Sequence, residues 1–104
     1  MEKHELSCSE CKIFDKYMIE AMEGVIVQDY ETVYKNIDSA RDMIVNWRYD
    51  GKIGFNDFSF FAQMFNQAIE TWCSGYRSLL IETLMLINDS FIKMMARYDI
   101  KCDC

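Results

Sequence analysis

The sequence predicts an all-α protein folded as a four-helix up-down-up-down bundle, and three observations carry that prediction. The 104-residue chain has no proline and only four glycines, the residues that most often interrupt helices. Apolar residues recur at spacings of three and four along most of its length. With 51% hydrophobic and 14% aromatic residues, the chain can fill one core of its size, so residues 1–104 are expected to form a single helical domain.

The first helix is expected from about Cys8 to Val27. Ser7 stands as its N-cap, with Glu10 three residues later as in a capping box. Phe14, Met18, Ala21 and Val25 make its apolar face, and Gly24 weakens its last turn. Asp29 caps a second helix whose inner stripe is Tyr30, Val33, Ile37, Ala40, Ile44 and Trp47. This helix stops at Tyr49-Asp50-Gly51, and residues 49–55 form the one obvious loop.

A third helix begins near Asn56 or Asp57 and runs to about Ser74, burying Phe58, Phe61, Phe65, Ala68, Ile69 and Trp72. The fourth, about residues 76–98, buries Leu80, Leu84, Ile87, Phe91, Met94 and Tyr98. Gly75 is the expected break between them. The apolar phase runs through Gly75 with little interruption, which leaves an alternative of two helices plus one long kinked helix. Such a rod would be ~60 Å long and would bury its face only in an obligate dimer.

Charge and composition exclude several functions. The net charge is −6, with eleven Lys and Arg scattered along the chain, so no nucleic-acid partner is expected. The longest apolar run, Leu79 to Ile87, is interrupted by Glu82 and is too short to span a bilayer, so no membrane partner is expected. Met1 to Glu5 contain no apolar signal segment, which makes the cytoplasm the expected location.

Four of the five cysteines lie at the ends: Cys8 and Cys11 as C-x-x-C, Cys102 and Cys104 as C-x-C. An up-down-up-down bundle brings the start of the first helix and the end of the fourth to one pole, and these thiols with them. Three chemistries compete there. One structural zinc held by four thiolates would be a closed site with no catalytic position, and His4 would be a substitute ligand. Disulfides would join the tails, and unpaired thiols are the plainest outcome. A thiol–disulfide exchange site at the helix N-terminus is a redox variant, although no strand precedes the helix as it does in thioredoxin-like proteins. Cys73, beside Trp72, is expected to be a small buried apolar residue.

Residues Asn46 to Asp57, followed by Phe58, carry Asp50-Gly51, Ile53 and Asp57 at spacings that resemble an EF-hand loop. Arg48 stands where a ligand carboxylate belongs and Asn46 replaces the leading Asp, so a helix–loop–helix turn without calcium is the expectation. Glu20 and Glu23 form an E-x-x-E similar to that of all-helical nucleotide pyrophosphohydrolases, but the second acidic pair of those enzymes has no counterpart downstream. With a single histidine, no P-loop and no Rossmann glycines, no assembled catalytic machinery is legible and the chain is expected not to be an enzyme.

What the bundle does not need is the informative part. Phe60 and Met64 lie outside the main stripe of the third helix, and Ile81, Met85 and Ile92 form a second row on the fourth. These five are the expected partner-binding residues, with Glu82 and Asp89 as an acidic rim, unless the fourth helix is simply packed on two sides. Eight methionines suit an adaptable interface. The functional expectation is a small acidic adaptor, regulator or inhibitor acting through protein–protein contact, dimeric through helices three and four. The alternative is a zinc or thiol-redox protein using the terminal cysteines.

Overall fold

A computed structural model describes residues 6–100 and shows four helices in sequence: α1 (Cys8–Ile26), α2 (Tyr30–Tyr49), α3 (Phe55–Ser74) and α4 (Arg77–Arg97). They lie around a common core, each beside the next, and α4 returns beside α1. The α1–α4 seam is the loosest of the four.

The helix ends follow from local chemistry. Ser7 and Glu10 form the expected capping box, with Glu10 N–H donating to Ser7 Oγ at 3.2 Å and Ser7 N–H to Glu10 Oε1 at 2.9 Å. Asp29 accepts from Thr32 N–H and the Thr32 hydroxyl at the start of α2; these bonds hold its carboxyl below the usual range. Gly54 caps α3 without a side chain, and the helix begins at Phe55, one to two residues ahead of the predicted start.

Gly75 ends α3 in the left-handed region (φ 76°), where a side chain would be strained. Tyr76 N–H then closes back on the Thr71 carbonyl at 3.1 Å. Two separate helices follow, which is the bundle solution and not the long rod.

Aromatic rings from all four helices meet at the centre. Phe14 of α1 stacks on Phe91 of α4 at 4.2 Å, and Trp47 of α2 stacks on the same ring at 5.9 Å. Phe61 and Phe65 of α3 meet Phe91 and Phe14 edge-on, at 6.5 and 6.2 Å. Offset and edge-to-face pairs of this kind contribute beyond their buried area. The predicted stripes of α1 and α4 are buried as expected from Phe14 to Val25 and from Leu80 to Met94.

Several expectations need correction. Phe58, Ile69 and Tyr98, predicted to be buried, are only half buried at the edge of the core. Tyr30 is 37% exposed, because the core side of the first α2 turn is taken by Val33. Trp72 is only half buried; its indole N–H donates to the Tyr30 carbonyl at 2.7 Å and its ring packs on Tyr34 at 4.9 Å. Cys73 is exposed, since Trp72 beside it takes the inward direction. Three core residues lie outside any predicted stripe: Leu6 before α1, Cys11 in its first turn, and Ile53, which plugs the bundle from the α2–α3 loop at 1% exposure.

Candidate functional site

The five expected contact residues do not share one surface. Met85 and Ile92 are 57% and 51% exposed, and Ile81 is half buried. At spacings of four and seven they occupy one flank of α4. Ile92 lines a groove of about 290 Å³ with Cys11, Lys12, Asp15 and Met95, so this flank faces α1. Phe60, 38% exposed, lies across α4 from them, against Ser90, Lys93 and Arg97 in the α3–α4 seam. Met64, one turn on, is half buried against the core. Glu82 and Asp89 are exposed on the ridge between the two flanks, with Lys93 paired to Asp89 at 3.1 Å.

Packing on two sides therefore accounts for part of the apolar surplus of α4, because Ile81 and Met95 rest against the core. It does not account for Leu79, Met85, Leu86 and Ile92, each 44–57% exposed. The α1 flank adds residues that sequence reasoning left out. Ile19 and Ile26, 43% and 63% exposed, follow Asp15 at spacings of four and eleven, with half-buried Met22 between them. The signal was present in the sequence, but Ile19 and Ile26 become a second row only once α4 is placed beside α1.

The two helices run antiparallel in a fixed register. Arg77 Nη2 donates to the Ile26 carbonyl at 3.1 Å at one end, and Cys11 adjoins Met95 at the other. Midway, the Oδ1 of Asn88 on α4 is buried without a hydrogen-bond partner. An unpaired buried acceptor costs about 1–3 kcal/mol, which marks this seam as a weak point of the bundle.

At the Cys8 end the polar contacts tie elements together across the loop that resembles an EF-hand. Asp57, the last ligand position of the resembled loop, accepts from Arg97 Nη2 at 2.6 Å and from the Tyr98 hydroxyl at 2.6 Å. The carboxylate holds the Arg97 guanidinium pKa above its ordinary value. Burial, helped by the bond to Asp57, raises that of the Tyr98 phenol, which also accepts from Gly54 N–H at 3.0 Å. The loop is pinned to α4 by these groups, and its acid is spent on protein cations and hydroxyls.

Of the terminal cysteines, Cys8 is disulfide-bonded and Cys11 is buried at 2% exposure one turn further along α1. Cys102 and Cys104, and with them half of the expected four-thiolate set, lie outside the described residues, as does His4. Among the described residues no group of three or more His, Cys, Asp or Glu is arranged to hold a metal ion. No described helix is long and apolar enough to cross a membrane.

Another hollow lies at the α1–α2 turn, lined by Glu20, Glu23, Gly24, Ile26, Val27, Asp29 and Thr32. It is an open depression at the hairpin, with Asp29 already engaged as a helix cap. No protein-family model, no curated protein and no solved structure matches this chain.

Proposed function

We propose that this chain is a small non-enzymatic protein that acts by binding another protein, as an adaptor, regulator or inhibitor. The supporting observation is the set of large apolar side chains left in water on both flanks of α4: Leu79, Met85, Leu86 and Ile92, with Phe60 beside them on α3. Covering such surface is worth ~25 cal/mol per Å², so it favours association. The expected contact residues are Phe60, Met64, Ile81, Met85 and Ile92, and the ridge carboxylates Glu82 and Asp89 favour a basic rim on the partner.

The test is a comparison of immobilised wild type with Met85→Asp and Phe60→Asp, each checked for native helicity by circular dichroism. The proposal expects proteins retained by the wild type and lost from at least one variant. Identical retention by all three, from a wild type that is also monomeric by light scattering, overturns it.

The second reading places the chemistry at the terminal cysteines, as a structural zinc or a redox site. Its support is the C-x-x-C at the N-terminus of α1, where the helix dipole favours thiolate. The disulfide at Cys8 weighs against zinc, because an oxidised sulfur has no thiolate to offer a metal. Native mass spectrometry distinguishes one bound zinc from the mass lost on forming disulfides. A cytoplasmic location belongs to the leading proposal, and the Cys8 disulfide weighs against it, because thiols are kept reduced there. A Cys8 disulfide that survives alkylation at lysis would move the protein to an oxidising compartment.

A further inference from the structure

We infer that the hollow at the α1–α2 turn is a docking site for a lysine or arginine side chain carried on a basic segment of a partner protein. This rests on the proposal that the chain acts by binding another protein, and it adds a second surface and the chemistry of what meets it.

The hollow measures about 480 Å³, within the range of sites that take a ligand group. Its apolar side is Ile26 and Val27, the last residue of α1 and its C-cap, which are 63% and 71% exposed. Its polar side is three carboxylates: Glu20 and Glu23 near the end of α1, and Asp29 at the start of α2. These are the charged groups that line it among the described residues. Asp29 also caps α2, and the Thr32 bonds that hold its carboxyl below the usual range keep it ionised. Two cations of the chain stand nearby, and neither fills the hollow. Lys16 reaches Glu20 only at 3.9 Å, with 73% and 42% of the two side chains in water, a pair of little worth. Arg77 is turned to the Ile26 carbonyl at 3.1 Å.

This combination selects its occupant. An inorganic cation would gain from the carboxylates but leave Ile26 and Val27 in water, and no group of three or more His, Cys, Asp or Glu among the described residues is arranged to hold a metal ion. A purely apolar side chain would cover Ile26 and Val27 but take water from the carboxylates without replacing it. Lysine and arginine satisfy both sides, with a hydrocarbon stem for the apolar surface and a charged head for the acids. A second copy of this chain is a poor occupant, because each copy carries a net charge of −6. The same charge draws a basic segment in from a distance.

The test uses a short synthetic peptide of alternating lysine and leucine, titrated into the isotope-labelled full chain by NMR and into unlabelled chain by calorimetry. The amides of Glu23, Val27 and Thr32 should shift most, and the same peptide with glutamate for lysine should shift none of them. Glu20→Gln with Glu23→Gln should weaken binding at least about tenfold, and Val27→Ser should weaken it severalfold. Glu82→Gln with Asp89→Gln removes the same charge from the ridge of α4 and should change affinity less than about twofold. Circular dichroism confirms that each variant is folded. No binding, shifts centred on another face, or an equal loss from the ridge pair overturns the inference, the last because it marks unspecific attraction. Spermidine binding as tightly as the peptide overturns it too, in favour of a small-polyamine site. If the peptide does not bind yet the wild type retains a protein that Met85→Asp loses, the interaction proposal stands and this hollow alone is refuted. If the peptide docks here while Met85→Asp and Phe60→Asp retain all that the wild type retains, this inference stands and the α4 contacts are refuted.

Discussion

Replacing Glu10 by glutamine tests how the bundle holds its two hairpins together. The Glu10 carboxylate closes the α1 cap with Ser7, and it also accepts from Lys52 Nζ at 2.7 Å and Trp47 Nε1 at 3.2 Å, so it joins α1 to α2 and to the loop beyond. Glutamine keeps the shape and an acceptor oxygen but not the charge. A hydrogen bond to a charged group is worth about 1.5–3 kcal/mol. Lys52 and Glu10 side chains remain 30% and 26% exposed, so the lower part of that range applies after solvent screening, about 1.5–2 kcal/mol. For a domain of this size that corresponds to a fall in Tm of roughly 6–10 °C.

The pH dependence gives the sharper check. Burial pushes the Glu10 carboxyl up, but the bonds from Lys52 and Ser7 outweigh it and the net pKa lies below 4.5. A group with a depressed folded-state pKa contributes stability above its unfolded-state value and loses it as pH falls through the folded one. Urea unfolding of wild type and Glu10→Gln should therefore differ most at neutral pH and converge on acidification below 4.5. A difference under about 0.5 kcal/mol at pH 7, or one that persists undiminished in acid, refutes this account.

Four further outcomes are expected. Gly24→Ala should destabilise by about 1–2 kcal/mol in thermal unfolding despite alanine's better helix propensity, because the new Cβ would sit 2.8 Å from Val33 Cγ2 and 3.3 Å from the Asp29 carbonyl. Gln28→Gly should stabilise by about 1 kcal/mol in urea unfolding, since Gln28 holds a φ of 62° that costs a residue with a side chain. Tyr98 should be among the last tyrosines to ionise in an ultraviolet titration. Its raised pKa means that its contribution is complete below the ordinary value of 10.0 and is lost as pH climbs through the folded one, and Tyr98→Phe should remove that alkaline dependence. Asn88→Leu should leave stability unchanged or raise it by up to about 1 kcal/mol, because it removes the unpaired buried Oδ1 from the α1–α4 seam.

Much of the fold was legible before any coordinates. Helical periodicity placed Phe14, Ile37, Phe65 and Phe91 in the core because a period near 3.6 puts such residues on one face whatever the face meets. Capping chemistry placed Ser7, Glu10 and Asp29 for the same reason, since a cap is satisfied within four residues of itself. Ile53 was invisible to this reasoning because a loop residue has no period, and its burial depends on how two helices close over it. Gly24 read as a weak helical residue, yet its place is fixed by the approach of α2.

The candidate site divides the same way. The sequence by itself determined helical structure throughout, the inner faces, and a surplus of apolar side chains on the last helix, because these depend on contacts between neighbours in the chain; whether Gly75 separates α3 from α4 it left open. Only the tertiary structure decided that Phe60 and Met64 lie on one side of α4 and Ile81, Met85 and Ile92 on the other, and that Ile19 and Ile26 extend the second group. Those facts depend on which helix α4 packs beside and in what register. The choice is made by the joint packing of four faces, through pairs such as Arg77 with the Ile26 carbonyl that stand 51 residues apart in the chain.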